Sequence, residues 1–82
     1  MHHELKTLPC YFQAIQDGDK NFEIRNTRDR GFQKGDTLLL KEFDPDATDS
    51  ASLTGREISK RVTYVCTYEQ KDDFVVMGLA EI

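Results

Sequence analysis

Eighty-two residues are enough for one domain, and a chain this short must commit most of its apolar residues, 38% of the total, to a single core. The longest apolar runs, such as Thr37-Leu38-Leu39-Leu40 and Phe74-Val75-Val76-Met77, fall far below the roughly 20 residues that cross a bilayer, and no amino-terminal stretch resembles a secretion signal. The expectation is one soluble cytoplasmic domain over residues 1–82, and a net charge of −4 excludes a protein coated in basic surface.

His3-Glu4-Leu5-Lys6 reads as a short opening strand. Thr7 then has the chemistry of a helix cap, and Pro9 suits a first helical turn, where its missing N–H would lack a partner anyway. Leu8, Phe12 and Ile15 recur at helical spacing, so this stripe should pack on a sheet, with Tyr11 flanking it. Gly18 follows as a residue able to end the helix in the left-handed conformation.

Lys20 to Arg25 reads as a strand in which Asn21, Glu23 and Arg25 share one face and Lys20, Phe22 and Ile24 the other. Lys20 sits at the strand's mouth, where its long stem can bring the ammonium towards Glu23. Residues 20–34 hold five cations, Lys20, Arg25, Arg28, Arg30 and Lys34, against Glu23 and Asp29; this local charge of +3 leaves −7 for the rest of the chain. An acidic body with one basic segment suits a small anionic ligand or a few phosphates better than a long duplex. A solvated, charge-mixed loop satisfies the same composition.

Asn26 to Lys34 reads as a polar loop, and Gln33-Lys34-Gly35-Asp36 as a turn before the strand Thr37–Phe43, whose leucine run suggests burial on both faces. Asp44 to Leu53 reads as an exposed, mobile connection with a tolerant tip. Arg56 to Tyr68 carries the longest β pattern, with a bend or bulge expected near Val65. After the charged turn Glu69–Asp73, Phe74 to Leu79 closes the sheet, and Gly78 marks a close backbone approach. The order β-α-β-β-β-β favours an α+β fold: a small, partly closed barrel of about five mostly antiparallel strands with one main helix.

Cys10 and Cys66 match no metal-ligand spacing and read as reduced, buried or half-buried thiols. His2 and His3 point to opposite faces of an extended segment, so neither a metal nor a cofactor is expected. Phe12 and Phe22 fall on core-facing positions, whereas Tyr11 and Phe32 remain open as base-stacking candidates.

Gly18-Asp19-Lys20-Asn21-Phe22-Glu23-Ile24-Arg25 resembles the G-x-K-x-x-E-x-R signature of the ASCH domain, the activating signal cointegrator homology module of the PUA-like superfamily. The opening His-Glu-Leu-Lys, the helix before Gly18, Arg30-Gly31-Phe32-Gln33-x-Gly35-Asp36, Thr54-Gly55-Arg56 and Phe74–Leu79 extend the resemblance over nearly the whole chain, to a compact bacterial and phage branch. It implies a PUA-like barrel whose signature lines a cleft beside the first helix, and a partnership with RNA, a nucleotide or a modified nucleoside. Lys20, Glu23 and Arg25 are the expected ligand-binding residues, with Arg28, Arg30 and Lys34 as phosphate contacts and Lys6 and His3 within reach.

A related branch of amidohydrolases deacetylates a modified cytidine with a Lys, a Thr nucleophile and a Glu. Here Lys20 matches, but Glu23 stands where that Thr would fall, and neither Thr27 nor Glu69 occupies a motif position. A carboxylate can act as a general base yet does not replace a hydroxyl nucleophile. Three readings follow: an RNA- or nucleotide-binding module, an amide hydrolase using Lys20 and Glu23, and a protein-interaction module presenting a sheet edge. Composition sets no oligomeric state, and a monomer satisfies all three. The bland counter-reading of Glu23 and Arg25 is an ion pair sealing the barrel mouth.

Overall fold

Alternation between polar and apolar residues makes the first element, β1 (His2–Thr7), a strand that buries His3, Leu5 and Thr7 and exposes His2, Glu4 and Lys6. The structure, a computed structural model, describes residues 1–27, 30–46, 53–69 and 72–82. Pro9 dictates the next junction, because the residue before a proline is pushed into extended geometry. Leu8 accordingly sits at φ −60°, ψ 149° and starts helix α1 (Pro9–Gln16) with no side-chain cap. Thr7 is therefore not the cap: it ends β1 with its hydroxyl turned inward. Of the expected stripe, Phe12 and Ile15 are buried while Leu8 stays exposed.

Helix α1 stops where glycine permits. Gly18 adopts φ +82°, and the N–H groups of Gly18 and Asp19 bond back to the carbonyls of Ile15 and Ala14 at 3.1 and 3.0 Å. The chain then enters β2 (Phe22–Asn26), followed by β3 (Thr37–Phe43), β4 (Leu53–Cys66) and β5 (Phe74–Glu81). Together the strands form a five-stranded mixed sheet in the order β1-β3-β4-β5-β2, with β1 and β3 parallel and the other three pairs antiparallel. The sheet curls into a half-barrel, and Arg25 Nη2 on one edge strand donates to Thr7 Oγ1 on the other at 3.2 Å. With α1 against it, the architecture is a small α+β, barrel-like fold.

Leu5, Ile15, Phe32, Leu38, Leu40, Val62, Val75, Met77 and Leu79 form the core, with Ile58 and Val65 packed against it. β3 buries one face and not two: Leu38, Leu40 and Glu42 point in while Leu39 is only half-buried, because α1 and the other core side chains cover a single side of the sheet. Phe32, from the loop after β2, is a core residue whose ring lies 4.7 Å from that of His3.

Two irregularities bend the sheet. The β4–β5 register shifts between Val62 and Tyr64, so the bulge expected near Val65 sits at Thr63, two residues earlier. A Cβ on Gly78 would lie 2.9 Å from Thr63 Oγ1, so the close approach expected at Gly78 is one to the bulged threonine. The β3–β4 register shifts between Lys41 and Phe43, opposite Gly55 at φ +94°. Of the connection expected over Asp44–Leu53, residues 47–52 lie outside the described residues. Both cysteines are free, Cys66 half-buried and Cys10 exposed, since Cys10 sits on the face of α1 away from Phe12 and Ile15.

Asp36 fastens the start of β1 to the start of β3. It accepts from Met1 N at 3.0 Å, pairs with His3 Nε2 at 2.9 Å and accepts from the Gln33 N–H at 2.9 Å. Burial alone would raise its pKa, but these three donors outweigh burial and bring it down to about 2.

Candidate functional site

Three consecutive choices in the sequence build a cleft. Pro9 turns the chain at the end of β1, Gly18 turns it back after α1, and the inward polar face of β2 comes to lie beside the β1–α1 junction. The resulting hollow, about 460 Å³, is lined by Lys6, Thr7, Leu8 and Tyr11 on one side and by Lys20, Phe22, Glu23, Ile24 and Arg25 on the other.

The alternation expected for β2 holds, although the strand runs over Phe22–Asn26 and its inward face is the polar one. Glu23 is 3% exposed, a costly position for a carboxylate without partners. It has two: Lys20 Nζ lies 2.9 Å from Oε1 and Arg25 Nε 2.7 Å from Oε2. Lys20 also donates to the Phe22 carbonyl at 2.8 Å, and Arg25 reaches Thr7. The ion pair of the bland reading is thus present, but a second cation makes it an array. Lys6 also borders the cleft, its Nζ 5.0 Å from the centre of the Phe43 ring, so three cations and one carboxylate line it and it carries positive charge on an acidic protein.

Aromatic rings wall this charge. Lys20 Nζ lies 4.9 Å from the centre of the Phe22 ring and 5.4 Å from that of Tyr11. Phe22, expected in the core, is 40% exposed, because burying Glu23 forces its strand neighbours to the opposite face. Tyr11 is 51% exposed. The cleft therefore combines flat apolar surface with guanidinium and ammonium donors.

Of the residues singled out from the sequence, Lys20, Glu23, Arg25 and Lys6 meet in this cleft. Arg30 does not line it; its Nη1 lies 3.4 Å from the Glu4 carbonyl, along the free edge of β1. Lys34, in the turn before Gly35, is exposed and likewise lines no part of it. Arg28 lies outside the described residues. His3 points to the opposite, inner face of β1 from Lys6's and is taken up by Asp36. Sequence reasoning missed Thr7, Leu8 and Ile24 as lining residues; the signal was Leu8-Pro9, which fixes where β1 gives way to the helix.

A third buried carboxylate, beside Glu23 and Asp36, has a structural role. Glu42 accepts from Thr54 Oγ1 at 2.6 Å and lies 3.7 Å from Arg56 Nη1. Arg56 in turn stacks over Phe12, 4.9 Å from the ring centre, and donates to Gln13 at 3.0 Å. Gly55 bends β4 so that Thr54 and Arg56 converge there, which clamps α1 to the β3–β4 hairpin.

Fold and site together define a small α+β half-barrel with a cationic, aromatic-walled cleft between its edge strands. The chain belongs to the family described as a domain of unknown function, DUF3850, whose model matches residues 2–79. It is similar to the "Uncharacterized 12.9 kDa protein in GpA 3'region" of Escherichia phage P2, with 33% identity over 76 residues. That alignment takes in 92% of this chain and 64% of the phage protein.

Proposed function

We propose that this chain is a binding module for a nucleotide or a short or modified RNA, built on a PUA-like, ASCH-type barrel and working through the cleft between β1 and β2. The observation that carries this reading is the Lys20–Glu23–Arg25 array set between the exposed rings of Tyr11 and Phe22. Glu23 occupies one donor of each cation and holds both in place, while the remaining guanidinium and ammonium donors serve a phosphate or sugar. Because the rest of the surface is acidic, the module takes a short single-stranded ligand and not a long duplex.

Titration of fluorescently labelled short RNAs and mononucleotides at low salt tests the reading. Binding should weaken as salt rises, and Arg25→Ala should cost about tenfold, the loss of one charge-assisted contact. A wild-type protein that binds no member of the panel would sink the proposal.

A second reading, amide hydrolysis on an acylated nucleoside, draws support from Thr7, whose hydroxyl lines the same cleft as Lys20. It ranks behind binding because both oxygens of Glu23, the candidate general base, are engaged by Lys20 and Arg25, and the Thr7 hydroxyl itself accepts from Arg25. Turnover of an acylated-nucleoside panel that Thr7→Ala abolishes would reverse the order.

A further inference from the structure

β2 is an edge strand, and its open edge faces the cleft. The pairing parity follows from hydrogen bonds at its two ends: the Asn21 carbonyl accepts from Leu79 N–H at 2.9 Å, and Thr27 N–H donates to the Asp73 carbonyl at 2.6 Å. Odd-numbered residues of β2 therefore turn their backbone groups to β5, and even-numbered ones turn theirs away. The Phe22 carbonyl agrees, since Lys20 Nζ caps it from the open side. Ile24 has the same parity and lines the cleft, so its N–H and C=O stand side by side on the cleft wall. Such a backbone pair needs a partner that offers a neighbouring acceptor and donor.

Resting on the nucleotide reading above, we propose that Ile24 reads the edge of a nucleobase: its N–H donates to a ring acceptor and its C=O accepts from the adjacent ring or exocyclic N–H. The surroundings favour a base over other planar amides. Tyr11 and Phe22 present apolar ring surface beside this edge, and Lys6, Lys20 and Arg25 supply cations for an attached phosphate. Lys20, by occupying the Phe22 carbonyl, also shortens the free edge, which opposes the addition of a whole peptide strand and leaves room for a ligand one residue wide.

Calorimetric titration with the ribonucleoside monophosphates and their edge-methylated counterparts (3-methyl-UMP, 3-methyl-CMP, 1-methyl-AMP and 1-methyl-GMP) tests this. Wild type should bind at least one parent nucleotide about tenfold more tightly than its methylated form. Ile24→Pro removes only an N–H that faces away from the sheet, a tolerated place for proline on an edge strand, and should bind both forms weakly and alike. Equal binding of parent and methylated nucleotides by wild type overturns the inference while leaving the cleft as a nucleotide site. Full discrimination retained by a folded Ile24→Pro overturns it as well. Failure of wild type to bind any parent nucleotide instead removes the reading beneath it.

Discussion

Glu23 places its two oxygens on different cations, so its charge organises both sides of the cleft floor. Replacing it by glutamine keeps the shape and removes the charge, which leaves Lys20 and Arg25 facing each other uncompensated. Because both cations retain some solvent, the expected loss is about 1–3 kcal/mol and not the larger penalty of a fully buried pair, measurable by urea unfolding of Glu23→Gln. Asp36 makes a pH-dependent counterpart at the other end of β1. Its carboxyl titrates at about 2 in the folded chain against 3.8 unfolded, so the folded state gains stability above pH 4 and loses it as pH falls through about 2. The contribution is about 2 kcal/mol, and Asp36→Asn should flatten the acid limb of the stability curve between those values.

At the level of elements, α1 has eight residues, too few to be stable from propensity alone, and it is held by Phe12 and Ile15 beneath and by the Arg56 clamp at its side. The β4–β5 pairing depends on a different local fit. Gly78→Ala would set a methyl group 2.9 Å from Thr63 Oγ1, and thermal unfolding should show a loss of about 1–2 kcal/mol. If that contact is the cause, most of the loss should disappear in a Thr63→Ala background; an undiminished penalty would place the strain elsewhere.

Across the whole molecule, the sheet is strongest in its middle and open at its edges. β3, β4 and β5 each have two strand neighbours, whereas β1 and β2 have one each. Native-state hydrogen exchange should therefore find the Ile24 amide exchanging fast and the Val76 amide, which faces β4 in the sheet interior, exchanging slowly. The outer face of the sheet is also divided. Lys6, Lys41 and Glu57 lie in one cross-strand row, while Tyr64, Gly78 and Phe22 lie in another. The apolar half of that face is continuous with the cleft through Phe22 and Ile24. No helix among the described residues is long and apolar enough to cross a membrane.

Much of this could be read from the chain because its causes are local. Pro9 and Gly18 bracket the helix, period-two alternation marks five strands, and Gly78 signals a close approach, each through steric or hydrogen-bonding rules that act within a few residues. Lys20, Glu23 and Arg25 were recognisable for the same reason, being neighbours on one strand. The sequence alone did not determine which face of β2 would be buried, since an apolar Phe22–Ile24 face and a charged Glu23–Arg25 face compete for the interior. Tertiary structure decided it by bringing Lys20 and Thr7 to the charged face, so that two cations, a hydroxyl and a carboxylate satisfy one another out of water. The fate of Phe22, the inward turn of His3 and the absence of Arg30 and Lys34 from the cleft all follow from where the half-barrel closes, which is fixed by contacts between residues far apart in the chain.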